Sequence, residues 1–238
     1  LSLEADAAGN RVLGVHIADV SHFVRPDSPL DQEARARGTS VYLVDKVIPM
    51  LPEQLSNGVC SLRPDEDRMT FSAFMTFDAA GRMIGRRFAK TRIRSKLRLN
   101  YEQAMAIISD KVPEGLAVVP SEARRLLKET WQLAAQMRAR RFSMAALDLE
   151  VPEVEVVLDE HARMTGMLVR PYDESHQLIE EFMVAANEAV AAELWTRGVK
   201  ILARLHEAPD EEKLEELQAN LAILGFRPGN LSNPQTLA

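Results

Sequence analysis

Cysteine is almost missing from this chain of 238 residues, with Cys60 standing alone. One thiol excludes a disulfide framework and a cysteine-rich zinc site. It also predicts a reducing compartment, the cytosol. Long hydrophobic runs are lacking as well. No window approaches the roughly 18 consecutive apolar residues of a membrane-spanning helix. No secretory leader is read at the start either, although the chain opens on Leu1 and reads as cut at both ends. Three further absences narrow the chemistry. There is no glycine-rich phosphate loop, no Gly-x-Ser-x-Gly elbow and no His-Glu-x-x-His helix. A net charge of −6 argues weakly against a general nucleic-acid binder, unless charge is segregated along the chain.

What is present predicts an α+β fold built on a mostly antiparallel sheet. "RVLGVHI" (11–17) reads as a strand, "LDQEARARG" (30–38) as a short helix stopped by Gly38, and "SVYLV" (40–44) as a second strand. Two prolines and Asn57-Gly58 then mark an irregular segment. The clearest hairpin follows. Met69, Phe71, Ala73, Met75 and Phe77 alternate before a turn at Asp78 to Gly81, and the return strand runs to about Arg94. Asn100 and Gln103 predict a capping box for a helix over 101–109. Ser121 is expected to cap a longer helix reaching about Phe142. Strands are predicted near 153–158 and 164–170, a long helix over 174–197, a short strand over 199–205, and a last helix from about Asp210 to Gly225. Hairpins mixed with helices favour α+β over a regular βαβ alternation.

Charge is indeed segregated. Eight basic residues and no acid lie between Arg82 and Arg98. Arg86, Lys90, Arg92 and Arg94 fall on one face of the return strand, because strand side chains alternate. That face suits a phosphate backbone, and equally a solvated outer strand. In the long helix, stepping 100° per residue from Ile179 gathers Ile179, Met183, Ala186 and Val190 into an arc of about 60°. Glu181 then falls on the far side with Glu174, Gln177 and Glu188, as a solvated surface acid. Glu180 lies at the edge of the apolar arc beside Asn187 and near His176. A carboxylate there needs a structural hydrogen bond, a metal or a ligand. "HIADVSH" offers His16, Asp19 and His22 as a weak metal pattern. Satisfaction of backbone groups by Asp19 and Ser21 at a strand end is the better reading. Tyr42, one of only three tyrosines, reads by default as a core side chain and alternatively as a stacking platform for a base.

Four stretches, "LGVHIADVSHFV", "LDQEARARGTSVYLVDKVIPMLPEQLSNGVCSLRPDEDR", "HQLIEEFMVAAN" and "RLHEAPD", resemble the catalytic RNB domain of the ribonuclease II and ribonuclease R family, ribonuclease R more nearly. The resemblance implies that residues 1–238 are the central part of that domain. It implies a processive 3′-to-5′ hydrolytic exoribonuclease that degrades single-stranded RNA to nucleoside 5′-monophosphates. It also implies a divalent cation, magnesium, whose aspartate ligands are expected just before Leu1. No catalytic or metal-binding residue is therefore assigned within the chain, and the chain alone is expected to be inactive. Flanking cold-shock and S1 domains are expected outside it, and a cytoplasmic monomer is the family expectation. By the same resemblance Tyr42 packs against nucleotides at the 3′ end and Glu180 contacts RNA. Asn187 joins Glu180 among the RNA-binding candidates. Leu149 stands where a family aromatic stacks, offering apolar contact but no ring. The competing expectation is a catalytically inactive RNA-binding module that keeps this fold.

Overall fold

Strand alternation builds the centre of the molecule. In the computed structural model, which describes residues 1–111, 119–147, 151–203, 205 and 207–233, four antiparallel strands form one sheet. These are β1 (Ser2–Ala5), β2 (Arg11–Ala18), β5 (Asp67–Phe77) and β6 (Met83–Arg94), in the order β1-β2-β5-β6. Between β2 and β5 lie α1 (Val20–Phe23), α2 (Pro29–Arg37) and a two-residue pairing of β3 (Val41–Tyr42) with β4 (Val47–Ile48). A single wide helical turn follows at Gln54–Val59, kinked at Gly58. After β6 come α3 (Tyr101–Ile108), α4 (Ser121–Ser143), a hairpin of β7 (Val154–Leu158) and β8 (Met164–Val169), then α5 (Glu174–Thr196) and α6 (Glu211–Ile223).

Register sets which face is dry. Leu13 lies opposite Met75, which lies opposite Arg86; Val15 lies opposite Ala73, which lies opposite Phe88. Directly opposed residues share a face. Leu13, Val15, Ala73, Met75 and Phe77 therefore pack together, and α4 and α5 close over them with Leu133, Ala134, Leu178, Phe182, Ala185, Ala186 and Ala189. The other face carries a network of hydroxyls and one imidazole, buried at Thr70 and Ser72 and half-buried at His16. His16 Nδ1 bonds Ser72 Oγ at 2.7 Å, Ser2 Oγ bonds His16 Nε2 at 3.0 Å, and Thr91 links Ser72 to Thr70. Gly14 permits that arrangement, because a Cβ there would collide with Ser2 Oγ and the His16 ring. Each polar group finds a partner inside the network, which makes its burial tolerable.

Local signals explain most helix ends. Asn100 and Gln103 form the expected capping box on α3. Asp173 caps α5 and Asp210 caps α6. Gly38, with φ +71°, ends α2. Four expectations fail. Ser121 is the first residue of α4 rather than its cap, and Pro120 holds the cap position without a side-chain capping bond. The strand expected at 40–44 shrinks to Val41–Tyr42. Residues 199–203 and 205 form no strand, because among the described residues this apolar run has no ladder to join. Glu181 is buried, although periodicity places it in solvent. The true core face of α5 is Ser175, Leu178, Phe182, Ala185 and Ala189, rotated about a quarter turn from the arc centred on Ile179. Ile179 and Val190 are more than a third exposed. Small alanines let α5 approach closely, so they are buried in place of bulkier neighbours.

Candidate functional site

The paired glutamates of α5 are held by the last turns of α4. Arg141 stands near the C-terminal end of that helix, and its guanidinium reaches both acids. Nη2 donates to Glu181 Oε1 at 2.6 Å and to Glu180 Oε1 at 3.0 Å, while Nε donates to Glu181 at 3.2 and 3.3 Å. Arg138, one turn earlier, brings a second charge 3.7 Å from Glu181 Oε1. Both guanidinium groups lie against the Phe142 ring, at 4.4 and 5.1 Å from its centre. Glu181 is only 2% exposed, so its carboxylate depends on these two cations. The hydrogen bond to Glu181 is the main reason Arg141 holds its proton more tightly than a free guanidinium, although partial burial works the other way.

Glu180 is half-buried at the rim of this clasp. Its second oxygen, Oε2, accepts from the Tyr172 hydroxyl, which projects from the segment before α5. One turn before Glu180 on the same helix, His176 stacks on Tyr101 of α3, with ring centres 3.9 Å apart and planes 17° apart. Its Nδ1 lies 2.9 Å from Asp173 Oδ1. Burial alone would raise the Asp173 carboxyl, but hydrogen bonds from Ser175 and His176 outweigh it and hold the group below its ordinary value. The result is a rim with two aromatic rings, an imidazole and one carboxylate of fixed orientation. Asn187 is exposed two turns further along α5, and seven residues return nearly to the same side of a helix. Arg141 and Glu181 also line a cleft of about 310 Å³ with Met137, Met144 and Val184.

Sequence reasoning placed His176 near Glu180 but missed Arg141, Tyr172 and Tyr101 as members of this group. Arg141 lies 39 and 40 residues from its two glutamate partners, a separation that no local periodicity reports. Tyr172 precedes the helix and never appears on its wheel. The remaining candidates lie elsewhere. Tyr42 is 78% exposed in the short β3–β4 ribbon, so the core reading of this residue fails and its ring is available for stacking. Leu149 lies outside the described residues.

The cations of β6 do share one face, since Arg86, Lys90, Arg92 and Arg94 sit opposite Met75, Phe71, Met69 and Asp67. Each also has an acid. Arg86 pairs with Glu193, Lys90 with the buried Asp19, and Arg94 with Asp67 at 2.8 Å; Arg92 is more distant, at 3.9 Å from Asp67. Lys90 Nζ lies 3.0 Å from Asp19 Oδ2, an oxygen with no well-aligned hydrogen bond. The hydrogen bond from Ser21, with the Lys90 charge, holds the Asp19 carboxyl below its ordinary value. His16, Asp19 and His22 do not converge. Both ring nitrogens of His16 are engaged by serines, and Asp19 serves Ser21 and Lys90. Among the described residues no three His, Cys, Asp or Glu side chains come together in a way that could hold a metal ion. The described residues therefore do not fit the magnesium that the resemblance implies. No helix among them is long and apolar enough to cross a membrane.

Comparison with known proteins identifies the family of the chain. The RNB domain model matches residues 1–237. Ribonuclease R of Thermotoga maritima is 43% identical over 228 residues, covering 95% of this chain and 32% of its own length. The chain thus spans about a third of that relative. The structure of Mycoplasma genitalium RNase R in complex with ribose methylated single-stranded RNA superposes with a TM-score of 0.91 at 33% identity, over 98% of this chain and 36% of that one. The same protein in complex with double-stranded RNA gives a TM-score of 0.92 at 32% identity, over 100% and 42%. The chain belongs to the RNB-domain family, the family of ribonuclease R.

Proposed function

We propose that this chain is the central part of the catalytic domain of a processive 3′-to-5′ exoribonuclease, one that hydrolyses single-stranded RNA to nucleoside 5′-monophosphates in the cytoplasm. The observation that carries the reading is the match to the RNB domain along residues 1–237, in a chain that keeps an anchored carboxylate at Glu180 and an exposed ring at Tyr42. A carboxylate repels phosphate and accepts hydrogen bonds. On an RNA strand its natural partners are therefore the ribose hydroxyls, the groups that separate RNA from DNA. Glu180, with Asn187 on the same side of α5, is assigned to the sugar edge near the 3′ end. Tyr42 is assigned to base stacking, which is tolerant of sequence. Leu149 is assigned an apolar contact with the same end.

The β6 cations are assigned to the phosphates, Arg92 foremost because its acid partner is the most distant. A divalent cation, magnesium by family, would supply Lewis-acid chemistry when bound, and no residue described in this chain is assigned to hold it. Its carboxylate ligands are assigned to the segment immediately before Leu1, and the working protein is a monomer. The test is the full-length protein on a uniformly labelled oligoribonucleotide with magnesium. Mononucleotides released stepwise from the 3′ end, with no cutting of the DNA counterpart, are the expected result. RNA binding without mononucleotide release would instead make the protein an inactive RNA-binding member of the family.

A further inference from the structure

We propose that Arg141 is a positioning residue for Glu180, and that the buried Glu181 exists to lock Arg141 in place. The inference rests on the exoribonuclease reading above and assigns a role to two residues outside the RNA-contacting set. Three observations carry it.

Glu181 is buried where a carboxylate is costly, and its nearest cations are Arg141 and Arg138. A helix that needed only packing here would carry an apolar residue at this position, since a buried ion pair seldom improves stability over one. Geometry is the second observation. Nε and Nη2 of Arg141 both bond Glu181, which fixes the plane of the guanidinium. Nη2 is the same atom that reaches Glu180 Oε1, so the buried acid dictates where the half-buried acid sits. A lysine has no such fork and offers only a point charge. The third observation is the opposite hold. Tyr172 donates to Glu180 Oε2 from a different segment, so both oxygens of one carboxylate are pinned from two directions. Each oxygen retains capacity for another donor.

The function of such an arrangement is preorganisation. An unpinned glutamate on a helix surface samples several rotamers and must be ordered when substrate arrives. Here the carboxylate waits in one orientation. Two guanidinium charges balance the two carboxylates, so the phosphates flanking the bound sugar meet a neutral cluster.

The experiment is a double-mutant cycle in the full-length protein, read by single-turnover release of the 3′ nucleotide with the protein in saturating excess over RNA. Arg141→Met is expected to slow release roughly 10–100-fold, the scale of a reacting group misplaced by about 1 Å. It should slow a strand ending in a 2′-deoxynucleotide much less. In a Glu180→Ala background, Arg141→Met should cause no further loss, because the residue acts through Glu180. If Arg141→Met proves too unstable to purify, Arg141→Lys decides. That variant keeps a charge beside Glu181, and it should fold while still losing most of the preference for a ribose end. Equal slowing by Arg141→Met with and without Glu180 would overturn the proposal. So would an Arg141→Lys protein with wild-type rate and ribose preference. A wild-type protein that leaves RNA intact would overturn the exoribonuclease reading itself.

Discussion

Removing the Glu181 carboxylate by Glu181→Ala is the sharpest test of the α4–α5 clasp as a structure. On the wheel this residue is a surface acid, and surface substitutions away from special features stay within about 0.5 kcal/mol. In the structure its side chain is 3% exposed and bonded to Arg141, with Arg138 close by. Deleting one partner of a buried pair costs about 3–5 kcal/mol, because the other charge is left behind. Two features reduce that here. Arg141 is 29% exposed and keeps Glu180 at 3.0 Å, and Arg138 rests on the Phe142 ring. The expected loss is about 2–3 kcal/mol, with Glu181→Gln lower because the amide still accepts hydrogen bonds. Urea unfolding followed by fluorescence of Trp131, which packs against the core, measures it directly. With a slope of about 1–3 kcal/mol/M, the midpoint should fall by roughly 1 M or more while the slope holds. Glu188→Ala, an exposed acid on the same helix, serves as control. A Glu181→Ala midpoint indistinguishable from the control would refute the argument and return this residue to solvent.

Other expectations follow from the same structure. Tyr42→Ala should weaken 3′-end holding by about 1–3 kcal/mol and leave longer end products, as one lost base stack predicts; gel analysis of the limit products reads it, and the melting temperature should stay unchanged for so exposed a ring. Phe182→Ala, at the centre of the α5 core face, should cost about 3–5 kcal/mol by denaturant titration. Burial is the main reason that His16 is lowered from 6.5 to about 4. The unfolded chain takes up this proton near pH 6.5 while the folded protein does not, so stability is full above 6.5 and declines as pH falls towards about 4. For a ring that is only half-buried, the decline should be about 1–2 kcal/mol. Parallel titrations of wild type and His16→Asn between pH 7 and 4 should show the slope flatten in the variant.

Local chemistry was readable wherever it was self-contained. The alternation of Met69, Phe71, Ala73, Met75 and Phe77 declares its strand because every second residue must face the same way. Asn100 and Gln103 declare the start of α3 because the two side chains satisfy each other's backbone. The phase of α5 was not readable. Hydrophobic weight favours Ile179 and Val190, whereas packing favours Ala185, Ala186 and Ala189, whose small size admits a neighbouring helix and sheet. That error inverted the environments of the two glutamates. Glu180 remains the candidate for contact, but the partners that orient it, Arg141 and Tyr172, meet it only through tertiary folding. Tyr42 shows the same limit, since a two-residue ribbon and a core strand look alike in a short apolar run.

The cationic strand β6 has one more consequence, for how copies of this chain behave towards each other. It is the terminal strand of its sheet among the described residues, so one side of its backbone is free to pair with another extended chain. If two copies met along this edge, a long row of arginines and lysines would confront its own image. Like-charge opposition makes that encounter unfavourable. The protection is ionic and therefore conditional. A soluble polyanion too short to occupy the protein productively would neutralise the row, strip away the repulsion and expose a sticky seam. Turbidity that rises with short polyphosphate at low salt and clears on adding salt would be the macroscopic sign of it.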